Sequence, residues 1–150
     1  MPLTLDLSGR VVLVTGGSKG IGRGITETFL AAGATVVTCA RSESPTVPGA
    51  EHRVCDVRDP DAVSALVAEV VETHGRLDVL VNNAGGAPYT DAATASPRFH
   101  DKIVGLNLMG PLACAQAANA VMQTQENGGS IVNISSVSAL RPSPGTAAYG

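Results

Sequence analysis

Apolar residues occur along the chain in short runs, separated by longer segments in which they recur every three or four positions. The short runs are aliphatic or β-branched and predict five buried strands, at Arg10 to Thr15, Ala34 to Ala40, Arg53 to Cys55, Leu77 to Val81 and Ser130 to Ser135. The longer segments predict helices at Gly20 to Ala32, Asp59 to about His74 and Pro97 to about Gln125. Strands that alternate with helices predict a parallel sheet with helices on both faces.

Local signals mark the limits of these helices. Asp59 and Pro60 stand where a helix cap and a first helical residue belong, and Gly33 follows the first helix. The third helix is expected to bend near Gly110 and Pro111. The predicted apolar faces are Ile21, Ile25, Phe29 and Leu30 in the first helix and Val63, Leu66, Val67 and Val70 in the second. No repeat or linker divides the chain, so residues 1–150 are expected to form one domain.

The composition narrows the function classes. Hydrophobic residues make up 44% of the chain and aromatic residues only 3%, which suits a core of Val, Ile, Leu and Ala between a sheet and its helices. The net charge is −3 and the basic residues form no run, so neither nucleic acid nor a membrane surface is an expected partner. No apolar run approaches the roughly 18 residues of a membrane span, and Met1 to Gly9 lacks the pattern of a secretory leader.

The cysteines and histidines indicate no metal site. Cys39, Cys55 and Cys114 are odd in number and widely spaced, so we expect free thiols and a cytoplasmic location. The histidines, at positions 52, 74 and 100, are equally scattered and match no ligand spacing.

The most informative segment runs from Val11 to Gly22, where a strand is followed by a glycine-rich turn and the start of a helix. Gly16 would permit the tight turn, Gly20 would let the backbone approach a phosphate, and Gly22 would allow close helix–strand packing. The free amides and the positive dipole end of the helix favour the pyrophosphate of a dinucleotide. The spacing is G-x-x-x-G-x-G, not G-x-G-x-x-G, and it is no P-loop. A turn that merely connects strand and helix is the plainer alternative.

The end of the second strand bears on which dinucleotide is bound. An NAD site usually has an acid there, which holds the ribose 2′-hydroxyl. This chain has Thr38-Cys-Ala-Arg41 instead, and Lys19 lies in the turn. Two cations without an acid favour the 2′-phosphate of NADP(H), while NAD(H) stays open and both cations could be solvated surface residues.

Together with later residues, this pattern resembles the short-chain dehydrogenase/reductase family. The matching motifs are Thr15-Gly-Gly-Ser-Lys-Gly-Ile-Gly22, Asp56-Val57, Asn82-Asn-Ala-Gly85, Asn107 in Gly-Leu-Asn-Leu-Met-Gly, Ser136 and Tyr149. They follow the family's order and cover essentially the whole chain. The resemblance implies a Rossmann-type doubly wound parallel sheet, incomplete at its C-terminal end, and NAD(P)-dependent interconversion of an alcohol and a ketone or aldehyde.

The resemblance also implies residue roles. The residues implied to contact the cofactor phosphates and ribose are Gly16, Ser18, Lys19, Gly20, Ile21 and Gly22. Those implied at the adenine are Asp56 and Val57, and those implied to wall the cofactor are Asn83, Ala84 and Gly85. Ser136 would bond the substrate oxygen, Tyr149 would exchange the proton, and Asn107 would position a proton-relay water.

The chemistry of carbonyl reduction suits these side chains. A cofactor supplies the hydride, a serine hydroxyl can donate to the developing alkoxide, and a phenol can serve as the acid when a cation is near. Ser136 is preferred to Ser135 because it lies 13 positions before Tyr149, the family's separation. Neighbouring residues of a strand also point to opposite faces, so the two serines would not share one task.

The family places a lysine four residues after the tyrosine, which here would be position 153, beyond Gly150. The resemblance therefore implies that the chain is the N-terminal portion of a family member, and that these 150 residues alone lack normal activity. A dinucleotide-binding protein without turnover is the alternative function.

The segments without periodicity, Gly86 to Ser96 and Val137 to Ala148, would line the substrate pocket. Their Pro88, Tyr89, Leu140 and Pro142 favour a neutral, partly hydrophobic alcohol or carbonyl compound. A homo-oligomer, dimer or tetramer, is a further expectation from the resemblance. The small residues Ala113, Cys114, Ala115, Ala117 and Ala118 fit such an interface and plain helix packing equally well.

Overall fold

The structure, a computed structural model, describes residues 5 to 150. Its strands and helices are β1 (Val11–Thr15), α1 (Gly20–Ala31), β2 (Thr35–Ala40), β3 (Glu51–Val54), α2 (Pro60–His74), β4 (Val79–Asn82), α3 (Pro97–Val104), α4 (Gly110–Met122) and β5 (Ser130–Asn133). A π-helical segment, Gly105–Met109, joins α3 to α4, and a 3-10 turn spans Val137–Ala139. The prediction about a leader in Met1 to Gly9 lies partly outside the described residues.

The strands pair in parallel throughout, in the spatial order β3-β2-β1-β4-β5. From β1 the chain builds the sheet outward through β2 and β3, then returns to place β4 on the other side of β1. The carboxyl ends of β1 and β4 therefore adjoin at the point where the winding reverses, which is where α/β sheets bind ligands. The predicted doubly wound parallel sheet is confirmed.

Alternate residues of the central strand β1 serve two separate cores. Val11 and Leu13 belong to a core that is completed by α2 and α4. Val12 and Val14 belong to a second core, on the opposite face, against which α1 packs. Because both faces are covered, the strand is apolar at consecutive positions rather than at every second one. The prediction of helices on both faces is confirmed.

The sequence signals of α2 are confirmed in full. The Asp59 carboxylate accepts hydrogen bonds from the amides of Asp61 and Ala62, and Gly75 follows the helix with a φ of 76°. The predicted apolar stripe is buried and consists of Val63, Leu66, Val67 and Val70.

The apolar face of α1 was predicted correctly except at its first turn. Ile25, Phe29 and Leu30 pack against the second core. Ile21, in contrast, is 70% exposed, because the first turn of α1 borders the open carboxyl edge of the sheet. The prediction that Ile21 belongs to the packed face is therefore wrong.

Several boundaries differ from the predictions. β3 is Glu51–Val54, shifted from the predicted Arg53 to Cys55, and β5 ends at Asn133 rather than at Ser135. Both are edge strands with few buried residues, so their apolar pattern is weak. The third helical region is interrupted by the π-helical segment Gly105–Met109, directly before the expected bend at Gly110 and Pro111, and it ends at Met122 rather than near Gln125. Within residues 5 to 150, no helix combines the length and the apolar composition that a membrane span requires.

The three cysteines are buried free thiols, two at the ends of β2 and β3 and one in α4. Burial raises the pKa of Cys114 to about 12. This thiol is therefore protonated at neutral pH and serves as an apolar part of the core.

A buried carboxylate ties the start of β1 to the start of β4. Asp78 is 5% exposed and accepts hydrogen bonds from the Val11 amide at 2.9 Å, from Arg10 Nη1 at 2.8 Å and from Arg76 Nε at 2.7 Å. Burial acts to raise the pKa of Asp78, but the Arg76 guanidinium, the Val11 amide and Arg10 together outweigh it and lower the pKa. The ionised form is therefore the one that stabilises the fold.

We expect Asp78→Asn to lower the free energy of unfolding by about 2 kcal/mol at pH 7, because the hydrogen bonds to a charged partner are weakened. Since the pKa of Asp78 is lowered on folding, its contribution is complete above the ordinary pKa of about 4 and disappears as the pH falls further. Urea unfolding at pH 7 and at pH 3 measures both effects, with the exposed Asp101→Asn as control. Equal losses in the two variants would contradict the assignment.

Candidate functional site

A groove of about 970 Å³ runs along the carboxyl edge of the sheet, where β1 and β4 adjoin. Thirteen of the residues singled out from the sequence line it: Gly16, Ser18, Lys19, Ile21, Gly22, Arg41, Val57, Asn83, Ala84, Gly85, Asn107, Ser136 and Tyr149. Gly20 and Asp56 are the two that do not. The fold thus gathers residues from seven separate stretches of sequence around one cavity.

The glycine-rich turn after β1 requires glycine at three positions, for two different reasons. Gly16 has a φ of 64° and Gly20 a φ of 53°, which L side chains rarely adopt. Gly22 has ordinary backbone angles, but a Cβ there would overlap the carbonyl oxygen of Gly16. The predicted tight turn at Gly16 and close packing at Gly22 both agree with this geometry.

The first turn of α1 differs from the starts of the neighbouring helices. The Asp59 side chain caps α2 and the Ser96 side chain caps α3. In the described part of the chain, no side chain caps α1 and its first turn holds no acid. The first amides of a helix lack partners within it, so those of α1 stay available where Ile21 and Gly22 line the groove. An anionic group in the groove would accept hydrogen bonds from these amides.

A hydrogen-bond cluster locks the turn onto the end of β4. The Thr15 hydroxyl oxygen accepts from the amides of Asn83 and Ala84, each at 3.0 Å. The Asn83 carboxamide in return donates to the carbonyls of Thr15 at 3.0 Å and Gly16 at 3.1 Å. The sequence argument gave Asn83 a place in the wall but missed Thr15, a buried hydroxyl at a strand end where an aliphatic residue would complete the apolar run.

Two cations lie at the end of the groove near β2. The side chains of Lys19 and Arg41 are exposed and line the groove together with Ser42 and Ser44. Ser18 Oγ donates to Ser44 Oγ at 2.9 Å and so joins the glycine-rich turn to the loop after β2. Neither β2 nor residues 41 and 42 contain an acidic side chain that could line this end of the groove.

Asp56 and Val57 are adjacent in sequence but face different surroundings. The Asp56 carboxylate accepts from the amide and from Nε of Arg58, both at 3.0 Å. The Arg58 guanidinium lowers the pKa of this carboxyl despite some desolvation by burial. Val57 is buried and lines the groove, whereas Asp56 borders a separate shallow depression. Asp56 thus lies beside the groove rather than among the residues that line it.

The Asn107 carboxamide braces the π-helical segment against the chain after β4. Its Oδ1 accepts from the Gly86 amide at 2.8 Å, and its Nδ2 donates to the carbonyls of Gly86 at 3.0 Å and Ile103 at 2.9 Å. The π-helical turn brings this side chain to the groove wall. The observed bonds make Asn107 a link between two walls of the groove.

Ser136 and Tyr149 both line the groove and both belong to the chain after β5. Both are half-buried. Ser136 Oγ accepts from the Ser138 amide at 3.1 Å, and the Tyr149 amide donates to the Thr146 carbonyl at 2.9 Å. Ser135 also lines the groove, because β5 ends at Asn133 and strand alternation does not apply beyond it. The argument from strand alternation against Ser135 is thus wrong. The preference for Ser136 then rests on its separation from Tyr149 alone.

The two segments expected to line a substrate pocket contact each other. The Thr90 amide donates to the Gly145 carbonyl at 2.8 Å, and the Tyr89 ring packs against Gly145. From these segments Gly86 and Ala139 line the groove, while Tyr89 and Leu140 are 80% and 89% exposed. Within the described residues, no group of three or more His, Cys, Asp or Glu is placed to hold a metal ion.

The chain is similar in sequence to known proteins. The family model described as short chain dehydrogenase matches residues 10–150. The chain is 36% identical to L-fucose dehydrogenase of Bos taurus, with 91% of the chain and 53% of that protein covered. It is 39% identical to 3beta-hydroxysteroid dehydrogenase of Mediterraneibacter gnavus, with 93% of the chain and 54% of that protein covered. The chain thus spans about half the length of these curated relatives.

Solved structures are similar over almost the whole chain. A short chain dehydrogenase from Mycobacterium smegmatis superposes with a TM-score of 0.89 at 33% identity, covering 99% of this chain and 68% of its own. The ligand-free aldohexose dehydrogenase of Thermoplasma acidophilum superposes with a TM-score of 0.87 at 34% identity, covering 97% of this chain and 55% of its own.

We expect Gly22→Ala to destabilise the fold by about 1–3 kcal/mol, because the new methyl group overlaps the Gly16 carbonyl. The displaced turn should also weaken binding of a dinucleotide in a fluorescence titration. Gly24→Ala is the matched control, since nothing lies within 4 Å of a Cβ in this next helical glycine. That control should bind normally and gain up to about 1 kcal/mol in thermal unfolding. Similar behaviour of the two variants would contradict the packing argument.

Proposed function

This chain belongs to the short-chain dehydrogenase family, and on that premise we propose that it interconverts an alcohol and a ketone or aldehyde by hydride transfer with NADP(H). One observation supports the proposal above all others. A single groove is lined by the glycine-rich turn, by the uncapped start of α1, and by Ser136 and Tyr149. A dinucleotide and a small polar substrate would therefore lie side by side.

The residues present fit a dinucleotide. In this proposal the pyrophosphate lies at the start of α1, where the donors are free and a Cβ at Gly20 would meet nothing within 4 Å. The residues that would hold the cofactor are Gly16, Ser18, Lys19, Gly20, Ile21 and Gly22 at the phosphates and ribose, Asp56 and Val57 near the adenine, and Asn83, Ala84 and Gly85 along the wall. Bound there, the nicotinamide supplies or accepts the hydride.

The choice of NADP(H) over NAD(H) rests on charge. Lys19 and Arg41 are two exposed cations on the groove wall near the end of β2, and the position before Arg41 is Ala40 rather than an acid. A guanidinium can bind a phosphate with two parallel hydrogen bonds, which gives it a preference for the 2′-phosphate over a 2′-hydroxyl.

The proposed proton chemistry uses three side chains of the opposite wall. Ser136 Oγ–H would donate to the substrate oxygen and stabilise negative charge that develops there. The Tyr149 phenol would give its proton to that oxygen during reduction and take it back during oxidation. Asn107, through its bonds to Gly86 and Ile103, would keep the π-helical segment in register with the wall and position a relay water.

A homo-oligomer and a cytoplasmic setting complete the proposal. Cys114 and Ala118 are buried in the core, Ala117 packs against it and Ala115 lines the groove, which leaves Ala113 of the small-residue set for a partner subunit. The exposed apolar side chains of Val104 and Met109 support such an interface. The three free thiols suit a reducing compartment.

We expect Arg41→Asp to weaken binding of NADPH by roughly tenfold to a hundredfold, because a charge-assisted contact is lost and a repulsive one gained. Binding of NADH should be unchanged or tighter, since the new carboxylate can accept from a ribose hydroxyl. Fluorescence titration of the chain with both cofactors measures the ratio. Arg98→Asp, at an exposed arginine away from the groove, controls for net charge. An unaltered ratio in Arg41→Asp would refute the cofactor proposal.

We expect Tyr149→Phe to lower the rate of carbonyl reduction by about 10²- to 10⁴-fold, because the proton donor is removed while the ring is kept. The measurement follows NADPH absorbance with a panel of neutral ketones and aldehydes, in a version of the protein that carries residues beyond Gly150. Tyr89→Phe is the matched control at the other tyrosine, and NADPH titration checks that binding is intact. Turnover that persists in Tyr149→Phe would remove this residue from the mechanism.

A further inference from the structure

The loop after β2 carries the cationic end of the groove yet has little backbone support of its own. It begins after Ala40, whose carbonyl accepts from the Cys55 amide at 2.8 Å, and it is anchored again at Val47, which is 2% exposed in the second core. Between these anchors, residues 42–46 take part in no backbone–backbone hydrogen bond within the described chain. Their arrangement, and with it that of Arg41, depends on side-chain contacts.

His52 supplies one of these contacts from the neighbouring strand. It pairs with Thr38 across β2 and β3, and its Nδ1 lies 3.1 Å from Thr38 Oγ1. Its Nε2 lies 3.4 Å from the carbonyl oxygen of Ser42. A carbonyl only accepts, so Nε2 carries the proton and donates to Ser42. With Nε2 protonated, Nδ1 is an acceptor, and the single hydrogen of the Thr38 hydroxyl lies within reach of both Nδ1 and the Glu51 carbonyl oxygen, each 3.1 Å from Oγ1.

The same residues connect the loop to the glycine-rich turn. The Thr38 methyl group lies under Gly17, where a Cβ would come within 2.6 Å of Thr38 Cγ2. From the other side, Ser18 Oγ donates to Ser44 Oγ at 2.9 Å. Ser42 and Ser44 are thus tied to the two strands and to the turn, on either side of Glu43. These two hydrogen bonds hold the part of the loop that has no backbone–backbone hydrogen bonds.

We propose that His52 is a positioning residue for the 2′-phosphate of the cofactor. By holding the Ser42 carbonyl, it keeps Arg41 on the groove wall beside the turn that carries Lys19, without touching the ligand itself. The inference rests on the proposed function, because it assumes that the groove binds NADP(H). It adds a residue outside the groove lining to the determinants of cofactor choice.

The test compares two probes that differ in the phosphate alone. Calorimetric titrations of the chain with 2′,5′-ADP and with 5′-AMP are run for wild type, His52→Phe, Thr38→Val and the control His100→Phe. His52→Phe keeps an aromatic ring of strand-forming type and removes both hydrogen bonds. We expect affinity for 2′,5′-ADP to fall about three- to tenfold, the effect of one or two neutral hydrogen bonds. Affinity for 5′-AMP should stay the same.

Thr38→Val should reproduce this selective loss, and the double variant should lose no more than His52→Phe alone, because both break one chain of contacts. An equal loss for both probes would make His52 a structural residue only and overturn the inference. The inference would also be overturned if His52→Phe kept its affinity for 2′,5′-ADP while Arg41→Asp lost that affinity. This outcome would leave the proposed function intact. A wild-type chain with no preference for 2′,5′-ADP would overturn the cofactor choice and the inference together.

Discussion

The contact between the Asn83 carboxamide and the carbonyls of Thr15 and Gly16 is the constraint on which the rest of the site depends. It joins the ends of two adjacent parallel strands and turns the Gly16 carbonyl toward α1. That carbonyl then occupies the volume in which a side chain of residue 22 would lie. The direction of α1, and hence of its uncapped amides, follows from these few atoms. The two positive φ angles of the turn are conditions for the same arrangement.

The fold was largely predictable because its strongest signals are local and redundant. The apolar run predicts β1, and Asp59–Pro60 predicts the start of α2. The alternating order of strands and helices then predicts the parallel sheet. Predictions failed where burial is incomplete. The edge strands β3 and β5 carry few buried residues, so periodicity could not fix their ends, and the misplaced end of β5 produced the wrong argument about Ser135.

The site was predictable in its residue types but not in its connections. Nothing in the sequence around Asp56 indicates that its carboxylate pairs with Arg58, two positions on, and does not line the groove. Gly110 and Pro111 indicate an interruption of the third helical region, but not that the preceding turn is π-helical and brings Asn107 to the wall. The link from His52 to Ser42 joins residues ten positions apart through a strand pairing that exists only in the folded sheet. Long-range hydrogen bonds of this kind are a property of the tertiary structure.

The division of β1 between two cores limits how this segment can change in length. Odd-numbered residues serve one face and even-numbered residues the other. Replacing one aliphatic side chain by another disturbs a single core, and repacking can absorb it. Deleting or inserting one residue exchanges the two faces at every position downstream in the strand. It also moves Thr15 away from Asn83, so that packing and turn are disrupted in one event. Length variation among related chains should therefore accumulate in loops such as 42–46 and leave β1 untouched.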